Sequence, residues 1–153
     1  QLVRQVSGRA GRTDNKGRAL IQTYQPEHPV VEAILKGNDD DFWVSEAKQR
    51  ELACMPPFGK LVGIIISSSD FERAMSAANQ LKNNTQPLDV IGARAYGPAP
   101  APIARIKRRH RIRFLVKSPR TPGLQDAVRK WVTNVSLKGD LRLSIDIDPQ
   151  SFY

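Results

Sequence analysis

The sequence predicts an α+β fold: a C-terminal β-α-β-β-α-β sheet with two helices on one face, preceded by the tail of a separate α/β unit. Three observations point there. Apolar and polar residues alternate over 111–117 and 141–148, the period of strands with one buried face. Apolar residues recur every three or four positions over 71–81 and 124–135, the period of amphipathic helices. Residues 1–36, by contrast, hold only short elements, too little to enclose a core of their own.

Taken in order, Gln1–Ser7 reads as a helical lead-in, followed by the turn-rich GRAGRTDNKGR and a strand over Ala19–Tyr24. Pro26 and Pro29 open a brief helix with Val30, Val31, Ile34 and Leu35, which Gly37-Asn38 stops. Asp39, Asp40 and Asp41 begin a helix running to about Ala53, where carboxylates complement exposed N–H groups and the helix dipole. Three consecutive aspartates therefore read as a helix start rather than a metal site. Phe42 and Trp43 are expected to pack this connector onto a neighbouring lobe, and Pro56-Pro57 ends it.

Leu61–Ser67 is an apolar run fit for a central strand. Ser69 or Asp70 caps a helix whose stripe is Phe71, Ala74, Met75, Ala78 and Leu81. Val90–Tyr96 is predicted as the next strand, Gly97–Pro102 as a sharp interruption, and Ile103–Lys117 as one long extended segment. A second helix carries Leu124, Ala127, Val128, Trp131 and Val135, with Trp131 as core, and Leu141, Leu143, Ile145 and Ile147 form the last strand. The domain boundaries that follow are 1–37, a helical connector over 38–59, and 60–153.

With 24 Lys+Arg against 15 Asp+Glu the chain carries +9, a balance that favours an anionic partner, most often nucleic acid. The single cysteine, Cys54, excludes an internal disulfide and a cysteine-rich zinc site, and beside Leu52 and Met55 it reads as a small buried apolar residue. No apolar stretch is long enough to span a membrane and no signal peptide is visible, so a cytoplasmic setting is expected. The chain opens on Gln1 inside a helical pattern, which suggests a piece of a longer protein.

Gln5–Arg12, QVSGRAGR, carries the sharpest chemical signal. Its glycines let backbone pass close to a ligand, and two guanidinium groups three residues apart suit phosphate oxygens. An arginine aimed at a γ-phosphate stabilises the charge that develops as the phosphoryl group leaves. The pattern Q-x-x-G-R-x-G-R resembles the sixth conserved motif of superfamily 2 helicases. Together with GRALIQTYQPEHPVV, MPPFGKLV, YGPAPAPIARIKRRHRIRFLVKS and DIDP, it makes the whole chain similar to the C-terminal part of the PriA family of primosomal replication-restart helicases.

The resemblance implies a 3′-to-5′ DNA helicase, bacterial and nucleoid-associated, that recognises abandoned forks and restarts replication by primosome assembly. Residues 1–37 would be the end of its second RecA-like motor lobe. Arg9 and Arg12 would reach ATP across the cleft, Arg12 as the γ-phosphate finger, with Gln5 and Gly8 completing the nucleotide-binding motif. The ATP- and Mg2+-binding loops and the zinc module of the parent have no counterpart here, so the fragment is expected to hold no cofactor and to be inactive alone. The resemblance also implies contacts with the acidic tail of single-stranded DNA-binding protein, for which Arg120 and Gln125 are the candidates, and with other primosome proteins.

The remaining signal is basic. From Arg94 to Lys117 there are eight Lys and Arg residues and no acidic one. Alternation places Arg105, Lys107, Arg109, Arg111 and Arg113 mostly on one face of a ribbon, a row suited to a phosphate backbone. Aromatic residues do not interleave with it, so forked or duplex DNA fits better than a single-strand stacking platform. Some of these arginines could instead dock onto the other helicase lobes. His110 reads as a ribbon residue, and Asp146 and Asp148 as solvent-facing groups or arginine partners. A different class of reading is a stand-alone nucleic-acid-binding or ribosome-associated module; the motif at 5–12 speaks against it. A monomer is expected.

Overall fold

The computed structural model describes Gln5, residues 18–37 and residues 39–149 of the chain. Two compact units are distinguished, Gln1–Lys48 and Gln49–Tyr153.

In the first unit, helix α1 (Pro29–Lys36) starts where the sequence places it: Pro29 sits at the first helical position and His28 Nδ1 accepts the Val30 N–H at 3.3 Å. Gly37 ends it in the left-handed conformation, φ 67°, donating its N–H to the Ala33 carbonyl at 3.0 Å. No residue of α1 is buried, in line with a segment that cannot close a core by itself. The strand expected at 19–24 is absent. Residues 18–23 have no regular structure, and Leu20 and Tyr24 are fully exposed. A strand persists only with a neighbour to take up its N–H and C=O groups, and the described residues offer this segment none.

Helix α2 (Asp39–Leu52) follows the expected connector. Its end differs in one respect: Cys54 is exposed, not buried, and lies at positive φ of 48° in the turn that leads to Pro56. The turn is tight enough that a Cβ on Gly59 would lie 2.1 Å from the Cys54 carbonyl oxygen, so only glycine fits there. Arg50 donates to the Pro56 carbonyl at 3.2 Å across the same turn.

The second unit contains β1 (Gly59–Ser68), α3 (Phe71–Lys82), the short α4 (Gln86–Asp89), β2 (Arg94–Ile106), β3 (Arg109–Pro119), α5 (Leu124–Thr133) and β4 (Arg142–Ile147). The sheet order is β2-β3-β1-β4 with every neighbouring pair antiparallel, so β3 lies between the two strands that α3 connects. The predicted β-α-β-β-α-β arrangement is present.

Asp70 caps α3, its carboxylate accepting the Glu72 and Arg73 N–H groups at 2.9 and 3.3 Å. Along β1 and β3 the even-numbered side chains, Val62, Ile64, Ile66, Ile112, Phe114 and Val116, are buried in one cluster with Ala74, Ala78 and Leu81 of α3 and Leu124, Val128 and Trp131 of α5. Trp131 is fully buried, packs edge-on against Phe114 and donates Nε1–H to the Leu81 carbonyl at 2.9 Å. It thereby ties both helices to the sheet.

Two strand boundaries differ from expectation. Val90 and Ile91 close α4 and its turn, and β2 begins only at Arg94. It then runs through Gly97–Pro102 instead of breaking there, with register shifts between Tyr96/Ala99 and Pro100/Arg105. The prolines are tolerated because β2 is an edge strand, where a missing N–H leaves no partner unsatisfied. The long extended segment is in fact a hairpin turning at Lys107-Arg108, so 103–106 and 109–117 belong to different strands.

Replacing Trp131 with Phe removes the donor to a buried carbonyl and part of the ring. It is expected to lower stability by about 2 kcal/mol in urea denaturation of the full chain.

Candidate nucleic-acid interface

With the even positions of β3 sealed in the core, its odd positions, Arg109, Arg111, Arg113, Leu115 and Lys117, emerge on the opposite face of the sheet. No helix of this unit covers that face among the described residues. Successive odd positions stand about 7 Å apart along a strand, so the cations form a file down the middle of the sheet. Arg113 lies opposite Ile65 of β1 and Ala99 of β2. Arg111 lies opposite Ser67, which on its other side faces Arg142 of β4. Lys117 lies between Leu61 and Arg94, with its Nζ 6.0 Å from the Tyr96 ring centroid.

The five residues expected to form one basic row therefore divide into three groups. Arg111 and Arg113 are on the open face, with Arg111 donating to the Ile103 carbonyl at 3.1 Å. Lys107 is at the tip of the β2–β3 hairpin with Arg108, and Arg105 is in the last pairs of β2, all three exposed. Lys107 and Arg108 both adopt left-handed backbone, φ 49° and 62°, the geometry of a two-residue hairpin turn that Asn-Gly fills most easily.

Arg109 is different. Its guanidinium donates to the Ser67 carbonyl at 2.8 Å, to the Asp140 carbonyl, and to Asp140 Oδ2 at 3.3 Å, and its side chain is only 19% exposed. Asp140 in turn accepts the Ser69 N–H and the Ser68 and Ser69 hydroxyls, each at 2.7 Å, and pairs with Arg73 at 3.4 Å. This node clasps the β4 approach to the end of β1. The Ser69 N–H, the two hydroxyls and Arg109 together hold the Asp140 carboxyl well below the usual carboxylate range. Nothing in the spacing of Asp140 signals this role; only the fold brings residues 67–69, 73, 109 and 140 together.

The other singled-out residues are placed as follows. His110 packs edge-on against Phe71, ring centroids 5.6 Å apart, as a ribbon residue. Asp148 exchanges two hydrogen bonds with the Leu61 backbone, at 2.8 and 3.2 Å, and finishes the β1–β4 pairing. Asp146 stays on the open face, opposite Gly63. Arg120, just after β3, and Gln125, in the first turn of α5, are both exposed. Trp43 of α2 is 61% exposed and packs edge-on against Phe42. Gln5 is exposed, whereas Gly8, Arg9 and Arg12 lie outside the described residues. Among the described residues there is no group of three or more His, Cys, Asp or Glu that could hold a metal, and no helix long and apolar enough to cross a membrane.

One feature of the face has no forewarning in the charge pattern. A recess of about 510 Å3 opens over the middle of the sheet, floored by Gly63 and Ile65 and walled by Tyr96, Ala99, Arg113 and Asp146.

Because its pKa is depressed in the folded state, Asp140 contributes stability that is fully present above the unfolded value of about 4 and is lost progressively as pH falls from there toward the depressed folded value. Asp140→Asn is thus expected to melt below the parent chain at neutral pH, with the gap between their thermal midpoints narrowing as pH is lowered toward 3.

Residues 51–150 match the family model for the primosomal protein N C-terminal domain. The replication restart protein PriA of Rickettsia conorii is 32% identical over 153 residues, which is 100% of this chain and 23% of that protein. The protein of the same name from Treponema pallidum is 32% identical over 148 residues, 97% of this chain and 22% of its own length. That from Synechocystis is 40% identical over 122 residues, 78% of this chain and 14% of its own. The chain spans about a quarter of the Rickettsia conorii relative or less of the others. The matched span takes in the whole described sheet, its helices and the basic hairpin, and the chain belongs to the primosomal protein N C-terminal domain family.

Proposed function

We propose that this chain supplies a DNA-gripping element to a replication-restart helicase, holding forked or duplex DNA by its phosphates without reading sequence. One observation carries the reading. Arg111 and Arg113 stand two residues apart on a sheet face that no helix of this unit covers among the described residues, and the same hairpin carries Lys107 and Arg108 at its tip and Arg105 opposite His110, all three exposed, in a stretch with no carboxylate. Such a surface neutralises phosphates and releases their counterions, which gives affinity and register but no base specificity. Arg109 has its guanidinium committed to Asp140 and Ser67, so the phosphate set proposed here is Arg105, Lys107, Arg111 and Arg113, with Arg108 added.

The names and extents of the relatives support the wider proposal. In it, Arg9 and Arg12, with Gln5 and Gly8, complete an ATP site whose phosphate loop, Mg2+ ligands and zinc module belong to other parts of the parent helicase. The unwinding is 3′-to-5′, and the site of action is a stalled fork at the bacterial nucleoid. Arg120 and Gln125, exposed near the start of α5, are proposed to meet the acidic tail of single-stranded DNA-binding protein, and the remaining primosome proteins are proposed partners.

Binding of the full chain to a labelled fork across a salt series tests the reading. With five phosphate contacts, affinity is expected to fall about 500-fold between about 50 and 200 mM salt. Arg111→Ala with Arg113→Ala should flatten the dependence by roughly two contacts. Binding that is absent at low salt, or unaffected by salt, would sink the proposal.

The hairpin tip offers an independent check. Lys107→Asn with Arg108→Gly relieves two side chains of left-handed backbone, expected to stabilise the fold by about 1–2 kcal/mol in urea denaturation. The same double substitution should weaken fork binding and reduce the salt slope by up to about two contacts.

A further inference from the structure

The centre of the open face is built around a glycine that the fold does not require. Gly63 lies inside β1, paired to Leu115 on one side and Asp146 on the other. Its φ is not among the positive ones, and a Cβ added there would meet nothing closer than Pro149 Cγ at 3.8 Å and the Asp146 carbonyl at 3.9 Å, ordinary contact distances. An interior glycine weakens a strand and commonly marks a close approach by something else. Here it leaves bare peptide as the floor of the recess of about 510 Å3.

The strand register organises the surroundings into rows. One row runs Tyr96–Leu115–Gly63–Asp146, an aromatic wall, a flat floor and a carboxylate wall. The next runs Ala99–Arg113–Ile65–Ser144. The third sets Arg111 and Arg142 on either side of Ser67. Each row is about 7 Å from the last, so the arginine pair stands two rows from Gly63 and one from Ile65 and Arg113. A flat ring with hydrogen-bonding edges suits the recess, and a phosphate suits the arginine pair. Its volume falls within the range that encloses small ligands, roughly 300–1,000 Å3. The cations around it favour an anionic strand over an acidic-poor protein segment.

We infer that the recess takes the base of one unpaired nucleotide at the edge of a DNA duplex, stacked against Tyr96 over Gly63, with a neighbouring phosphate held by Arg111 and Arg142. The inference rests on the DNA-binding reading above and adds to it a single-strand subsite. A platform for many bases is not implied, since among the described residues Tyr96 is the one aromatic ring lining the recess apart from Phe114, which is in the core.

The test is fluorescence anisotropy of the full chain with three probes: a blunt duplex, the duplex with a short thymidine overhang, and the duplex with an abasic overhang of the same length. The thymidine overhang is expected to bind about tenfold more tightly than the abasic one, the scale of stacking one base on an aromatic side chain. Gly63→Val, which fills the floor with a side chain suited to a strand, and Tyr96→Ala, at an exposed position, should each bring the two affinities together. Equal affinity of the parent chain for the two overhangs overturns the inference, as does a preference that survives both substitutions. The blunt duplex separates the two readings: salt-sensitive binding to it without a base preference overturns the recess alone, whereas failure to bind any probe overturns both. The comparison on the parent chain needs no variant to fold.

Discussion

Strand β3 is hydrogen-bonded on both edges, and its even side chains are sealed under α3 and α5, so its odd side chains have a single direction left to point. That constraint turns a charge run into a surface. Ile112, Phe114 and Val116 fix the register through their packing, and a slip of one residue would bury Arg111, Arg113 and Lys117 while exposing the core. The position of the basic file is therefore as strongly determined as the hydrophobic core, because it is the same decision seen from the other side.

Within that file, identical side chains meet different fates because of where the strand ends. Arg109 stands where β3 begins, beside the loop that delivers β4, and there Asp140 and the Ser67 carbonyl surround its guanidinium. Two and four residues further on, Arg111 stands beside Ser67 with Arg142 beyond it, and Arg113 stands between Ile65 and Ala99. The first arginine joins the end of β1 to the β4 approach, whereas Arg111 reaches across to the Ile103 carbonyl of β2. Asp140 also gathers the ends of β1 and α3, so a single carboxylate organises the corner from which three elements depart.

Much of this was legible from residue order. The period of two in 111–117 and of three to four in 71–81 and 124–135 identifies the core positions, Trp131 among them, except Phe71, which is exposed at the start of α3, and the caps at Asp70 and Gly37 are local chemistry that any sequence reading reaches. The misreadings share a cause. Proline reads as a break at Gly97–Pro102 because its tolerance depends on a strand being at an edge, which is a property of the assembled sheet. Lys107-Arg108 gave no turn signal because its left-handed residues are cations rather than Asn-Gly. Cys54 looked apolar by its neighbours but is exposed in a turn, and Ala19–Tyr24 looked β-like but has no strand beside it among the described residues. The Asp140 node and the Gly63 recess were invisible because they join residues far apart in the chain.

The prolines of β2 have a consequence beyond local register. An outermost strand normally presents a ladder of unused N–H groups to which a strand from another molecule can add. Pro98, Pro100 and Pro102 remove donors from β2, one of the two edge strands, over its middle. Copies of this chain crowded together would therefore meet, along the β2 edge, a backbone that resists zipping into a continuous sheet.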